Sequence, residues 1–287
     1  MQVGGDKNNG IMASTLPEVR TFCCTSLAMP PHTCAPHVCA CVQVRHMAAD
    51  GFVDITYGVP VTTSKVKALL KICVDFPSTR ISIFIDSEEQ LREVESVIDT
   101  ELGSPFASSA DTQAYVQKHR GKVFGCFLKI DVGYHRAGVD VQQDPDTAVS
   151  LAQKLNASKL LDFRGVYSHS GNAYNASSAA EAKAISDLEC SRAASFAKGL
   201  QAAHVPCPTI SVGSTPSCAA ADQFVGANEI HPGNCELLLL TLAGVSTDCS
   251  SDGLNLLACV LDVTGMCCGA VCGRCFFRSA ANGDTSL

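Results

Sequence analysis

Four short stretches of this sequence gather residue types that can do chemistry. They are Lys129, Asp131, His135 and Arg136; Tyr167, His169 and Tyr174; Ser211, Ser214 and Thr215 around Gly213; and His231 with Asn234. In the third, a glycine beside two hydroxyl residues leads into a helix-start pattern. Free backbone N–H groups and hydroxyls in such a turn suit a phosphate. The imidazole and two phenols of the second can pack on a flat heteroaromatic ring and hydrogen-bond it. Taken singly, each cluster also fits a plain role. His169 fits a capped core histidine, Ser214-Thr-Pro an N-cap, and His231-Pro-Gly a turn.

The elements that must position these residues come next. Val123 to Ile130 is apolar apart from Lys129, which reads as a strand buried on both faces. Its chemistry begins at its carboxyl end, where an α/β barrel carries catalytic groups; an ordinary polar surface turn is the alternative. Similar runs predict strands near 54–57, 80–86, 163–168, 209–213 and 229–231. Helices alternate with them over 64–73, 87–99, 145–155 and 178–203, the second opened by a Ser87-Glu-Glu-Gln90 capping box. Residues 100–120 read as a loop with one helical turn. This alternation predicts an α/β fold with a parallel sheet, part of a (β/α)8 TIM-type barrel, with a doubly wound open sheet as the alternative. In a barrel the four clusters converge on one rim, so Tyr167, His169, Thr215 and Asn234 are expected to face one cavity.

With 287 residues the chain is long enough for one barrel or two smaller domains. A net charge of −7 and no basic cluster argue against nucleic acid or an anionic membrane as partner. The opening residues Met1 to Gly10 are polar and give no secretory signal, so a reducing, cytoplasmic setting with free thiols is expected. Twelve of the 17 cysteines crowd into residues 1–53 and 235–287. There His32/Cys34 and His37/Cys39 form two His-x-Cys pairs, and Cys272 and Cys275 have dithiol spacing. Neither sits in a familiar metal or redox context, so no metal ligands are assigned.

Five ordered motifs then carry a resemblance. Asp54-Ile-Thr-Tyr-Gly-Val-Pro60, Lys129-Ile-Asp-Val-Gly-Tyr-His-Arg-Ala-Gly138, Tyr167-Ser-His-Ser-Gly-Asn-Ala-Tyr174, Ser211-Val-Gly-Ser-Thr-Pro-Ser217 and Glu229-Ile-His-Pro-Gly-Asn234 closely resemble the eukaryotic D-serine dehydratases and related D-threonine aldolases. The resemblance implies an alanine-racemase-type barrel over residues 51–234, pyridoxal 5'-phosphate as cofactor, zinc held near the C-terminus, a small D-amino acid substrate and a homodimer. It implies that Tyr167 and Tyr174 contact the cofactor. Ser214, Thr215, Gly233 and Asn234 would hold its phosphate, and His169 and Arg136 would act as catalytic residues lining the site. The activity implied is conversion of D-serine to pyruvate and ammonia, with an aldolase-type lyase or a non-catalytic cofactor-binding pseudoenzyme as alternatives.

The departures from that pattern bear on activity. The family's first strand carries an Arg-Pro-His-Val-Lys-type segment whose lysine bonds the cofactor. The nearest match here is Ala35-Pro-His-Val-Cys39, and a thiol cannot form that link. After residue 235 no His-x-Cys pair remains for zinc, and only Leu256 to Asp262 resembles the β-domain that should follow. Residues 1–50 are therefore expected to be an irregular Cys-rich arm and 235–287 a Cys-rich tail, as in a truncated or diverged gene product. On this reading the lyase is impaired or inactive.

Overall fold

The computed structural model describes residues 11–13 and 39–232. Strand β1 (Ile11–Ala13) is followed by helix α1 (Cys39–Ala49), β2 (Asp54–Tyr57), α2 (Thr63–Asp75), β3 (Arg80–Ile85) and α3 (Glu88–Leu102). Then come α4 (Ala110–Lys118), β4 (Phe124–Asp131), β5 (Val139–Asp140), α5 (Pro145–Ala157) and β6 (Leu161–Tyr167). A 3-10 turn (Gly171–Asn175), α6 (Ala179–Ala202), β7 (Thr209–Val212), α7 (Thr215–Ala220) and β8 (Glu229–Ile230) complete the described part.

The sheet runs β1-β2-β3-β4-β6-β7-β8, with β5 added beside β4. Every pairing is parallel, including β4 with β6, which rules out a hairpin there. This is the α/β architecture of a partial barrel, and the six expected strands fall within two residues of their expected places. Helices cover the outside. Helix α2, for example, buries Val66, Leu69, Leu70 and Cys73, a three-and-four spacing that lines one face. Every residue of β4 is buried, because one face meets the helices and the other the barrel interior. In that interior Phe84, Phe127 and Tyr167 form a separate small cluster.

The structure departs from the expectation at both loop assignments. Within residues 1–50 a helix runs over Cys39–Ala49, burying Cys41, Val44, Met47 and Ala48. The prolines upstream hid that three-and-four spacing. Within 100–120 the 3-10 turn Pro105–Ser108 leads into α4, which Ser109 caps by accepting from the Thr112 amide. Tyr115 holds α4 in place: it is fully buried and donates its hydroxyl to the Val123 carbonyl at 2.9 Å. At α3 the capping is also shifted. Ser87 Oγ accepts from the Gln90 amide, but Gln90 Oε1 accepts from Asp86 N at 3.0 Å, one residue earlier than a capping box requires. No helix among the described residues is long and apolar enough to cross a membrane.

Candidate functional site

Polar residues collect where β4, β6, β7 and β8 end. Tyr167 is the last residue of β6, and its ring stacks on His231 just past β8, with centroids 4.1 Å apart and planes at 22°. On its other side Tyr167 meets Phe84 of β3 at 4.1 Å. His169 lies two residues beyond β6, 6.1 Å from His231 and 6.5 Å from Tyr174. Lys129 of β4 directs its ammonium over the Phe84 and Tyr167 rings at 5.2 and 5.9 Å. Ring faces thus surround a buried amine.

Beyond β4 the chain turns sharply. Asp131 Oδ1 accepts from the Gly133 and Tyr134 amides at 2.8 and 3.0 Å, and His135 takes a left-handed φ of 55°. This turn presents Arg136 over the Tyr134 ring at 5.0 Å. Tyr134 in turn packs on Gly171, where a Cβ would sit 2.3 Å from its ring, so a larger residue there would displace the ring. His135 Nδ1 faces the carboxylates of Asp131 and Asp140 at 3.5 and 3.6 Å.

The third part is a hydroxyl cluster beneath the turn from β7 into α7. Ser214 caps α7, with its amide donating to Ser217 Oγ at 2.8 Å. Ser170 Oγ donates to Ser217 Oγ at 2.9 Å and to Ser214 Oγ at 3.3 Å. All three serines are buried. Above them Tyr174 donates its hydroxyl to Thr215 Oγ1 at 3.3 Å. The turn must pass close to α7, since a Cβ on Gly213 would lie 2.6 Å from Cys218 Sγ.

Burial sets the protonation states. Burial, with the charges of Arg136 and Lys129 nearby, depresses His169 to about 4. His231 is held well below the usual imidazole value, mainly by burial and then by His169. Its Nδ1 lies 3.0 Å from Ser211 Oγ, whereas its buried Nε2 closes no hydrogen bond, although the Ser168 and Gly213 backbones face the ring. Lys129 is shifted down by burial first and Arg136 second, with Asp86 opposing. Tyr167 is shifted up by burial and then by Glu189. The site therefore holds neutral imidazoles and a neutral phenol at neutral pH.

Of the residues singled out in the sequence, Tyr167, His169, Tyr174, Ser214, Thr215 and Arg136 come together at this rim. Gly233, Asn234, the tail with Cys272 and Cys275, and the His32/Cys34 and His37 positions lie outside the described residues. Cys39 is described in backbone only and opens a helix rather than lying on a strand. Among the described residues no three His, Cys, Asp or Glu side chains gather as a metal site, so these residues do not fit zinc. Two open grooves of about 540 and 500 Å³ lie on the helical flank around α3 and α5 and share none of the rim residues.

Sequence reasoning missed Glu189. It sits on the buried stripe of α6 with Ala182, Ser186, Cys190 and Ala193, where a carboxylate is unexpected. Its Oε1 accepts from Ser168 Oγ at 2.6 Å behind Tyr167. That placement on an apolar stripe was the available signal.

Proteins of known activity resemble this chain in sequence and in fold. The chain is 31% identical over 188 residues to a D-serine dehydratase of Dictyostelium discoideum, covering 64% of this chain and 43% of that protein. It superposes on the D-threo-3-hydroxyaspartate dehydratase of Delftia sp. HT23 with a TM-score of 0.56 at 20% identity, covering 86% and 59% of the two chains. On the D-threonine aldolase of Filomicrobium marinum it gives 0.56 at 19% identity, covering 80% and 56%. At those identities the two superpositions establish the fold. The chain spans less than half the length of the curated relatives it matches. The model of the alanine racemase N-terminal domain matches residues 67–236, and the chain belongs to that family.

Proposed function

We propose that this chain carries the ring-binding and phosphate-binding half of a pyridoxal-phosphate lyase of the D-serine dehydratase type, with catalysis impaired. The observation that carries this reading is His231: a buried imidazole stacked on Tyr167 with its Nε2 unpartnered, beside a turn rich in hydroxyls. A buried polar atom left without a partner costs about 1–3 kcal/mol, and such sites are kept where a ligand completes them. The residues fit the non-covalent part of the cofactor. Tyr167, packed between Phe84 and His231, backs the His231 ring, whose Nε2 would face the heterocycle. Ser214 and Thr215 border the phosphate side, and Tyr174 braces Thr215.

When bound, pyridoxal phosphate supplies an electron sink for the α-carbon of an amino acid. The chain's own residues then bind and orient. Neutral His169 can hydrogen-bond and orient a substrate hydroxyl or amine. Arg136 supplies a fixed positive charge for a carboxylate at the mouth. Burial lowers the Lys129 pKa, but its ammonium lies over the Phe84 and Tyr167 rings within the barrel. Cys39 stands where the resemblance places the covalent anchor, and a thiol does not take that role.

The test uses the purified 287-residue chain with pyridoxal phosphate and D-serine. Weak, reversible cofactor binding is expected, with little cofactor fixed by borohydride and no pyruvate above the free-cofactor background. Pyruvate formed well above that background would show that another lysine has taken the role. Thr215→Ala should weaken binding by roughly 1.5–3 kcal/mol, the value of a hydrogen bond to a charged group.

A further inference from the structure

Behind the hydroxyl turn lies a buried acid that the reading above does not use. Glu189 is 2% exposed, and its Oε1 accepts from Ser168 Oγ at 2.6 Å. The amides of Gly213 and Ser170 and the Ser170 hydroxyl face it and favour its charged form. None closes a hydrogen bond on Oε2, which stays buried without a partner. No Lys or Arg among the described residues pairs with it, and burial dominates, pushing the carboxyl up. From the packed elements, Tyr167 of β6 and Cys190 of α6 are the titratable groups that feel its charge. Glu229 of β8 and Cys218 of α7 act on the same Tyr167.

Ser170 links this acid to the turn, since its hydroxyl donates to Ser217 and Ser214. A neutral carboxyl accepts from Ser168 and carries its own donor, so it does not draw the Ser170 hydroxyl away from the turn. An ionised carboxylate competes for Ser170 and for the Gly213 amide, and places a negative charge behind the turn. Both effects oppose a bound anion. Resting on the phosphate reading of that turn, we propose that Glu189 is a positioning residue that works as a neutral acid, so that a phosphate-bearing ligand binds only while this carboxyl keeps its proton.

The full-length chain is titrated with pyridoxal phosphate, inorganic phosphate and unphosphorylated pyridoxal across pH 5 to 9, as wild type, Glu189→Gln and Glu189→Ala. Glutamine keeps the shape and stays neutral at every pH. The expected result is that wild-type affinity for the two phosphate ligands falls about tenfold or more towards pH 9, while Glu189→Gln holds its low-pH affinity throughout. The second ionisation of phosphate acts equally on both proteins and cancels in their ratio. Pyridoxal should show no difference between them. Glu189→Ala, which removes the Ser168 acceptor and leaves a cavity behind the turn, should bind phosphate ligands weakly at every pH, and circular dichroism reports whether it folds. Parallel pH profiles for wild type and Glu189→Gln would overturn the role of Glu189 while leaving the phosphate site intact. Absence of phosphate-dependent binding in every protein would overturn both readings.

Discussion

The two ends of the sheet are built on opposite rules. At the amino ends, charges are paired across strands: Arg80 of β3 with Asp162 of β6, and Arg164 of β6 with Asp54 of β2, at 2.7 and 2.8 Å. At the carboxyl ends, imidazoles, a phenol, an amine and an acid are buried largely without counter-charges, and their protonation is shifted by that burial. Paired charges close the foot of the barrel, while the rim buries ionisable groups with few counter-charges. On the proposed reading, stability lives at one end and function at the other, as in other α/β barrels.

The largest expected effect tests the foot. Strand β6 carries a bulge: Cys126 and Phe127 pair with Phe163 and Gly165, leaving Arg164 as the extra residue. Gly165 makes this possible with a φ of 127°, and a Cβ there would sit 2.0 Å from the Thr209 carbonyl oxygen. Gly165→Ala must strain the backbone and push β7 away. A loss of roughly 3 kcal/mol or more is expected in urea unfolding. A smaller loss would mean that the bulge is soft and the foot less rigid than its ion pairs suggest. Next comes Arg164→Ala, which strands Asp54. It should cost about 2 kcal/mol, and a double-mutant cycle with Asp54→Ala should recover part of that.

These features show how far the sequence could be read. Strand order and the rim cluster were legible because β4 and its neighbours are short apolar runs that end in polar residues. Tyr167, His169, Tyr174, Ser214 and Thr215 were visible because motif spacing places them after strands. The bulge at Arg164 was not, since a one-residue register shift leaves no trace in composition. Helix α4 was hidden because its stability rests on one buried tyrosine rather than on an apolar stripe. Glu189 was hidden because an Ala-rich helix does not announce which face is covered. The inward Arg80 and Arg164 pairs were missed for the same reason: their partners lie 82 and 110 residues away.

The rim should respond to pH where the foot does not. His169 has a folded value of about 4 against an ordinary 6.5, so the fold favours its neutral form. Stability from this group is complete above pH 6.5 and is lost as pH falls through about 4. Allowing for partial exposure, the loss is about 2 kcal/mol. His169→Gln should flatten that part of a stability-against-pH curve, measured by urea unfolding between pH 7 and 4. If the slope is unchanged, His169 is not the neutral imidazole that its burial implies. Glu189 has the opposite sign. Its raised folded value means that stability is greatest below the ordinary carboxylate range and is lost as pH rises through the shifted value.

The smallest stability effect belongs to the outermost pair, Tyr174 with Thr215. Tyr174 is 48% exposed, and its hydroxyl reaches Thr215 at 3.3 Å, so the bond competes with water. Tyr174→Phe should shift unfolding by no more than about 0.5 kcal/mol, the range of ordinary surface changes. Its effect on ligand binding should exceed its effect on folding, because losing the phenol hydroxyl removes one hydrogen bond to Thr215 at the proposed phosphate side. The pair of measurements is urea unfolding and pyridoxal phosphate titration on the same preparation. A two- to fivefold loss of affinity with unchanged stability would place the pair wholly on the functional side of the divide. Equal losses in both would make Tyr174 part of the fold, and would move the boundary between the paired foot and the waiting rim outward to the surface.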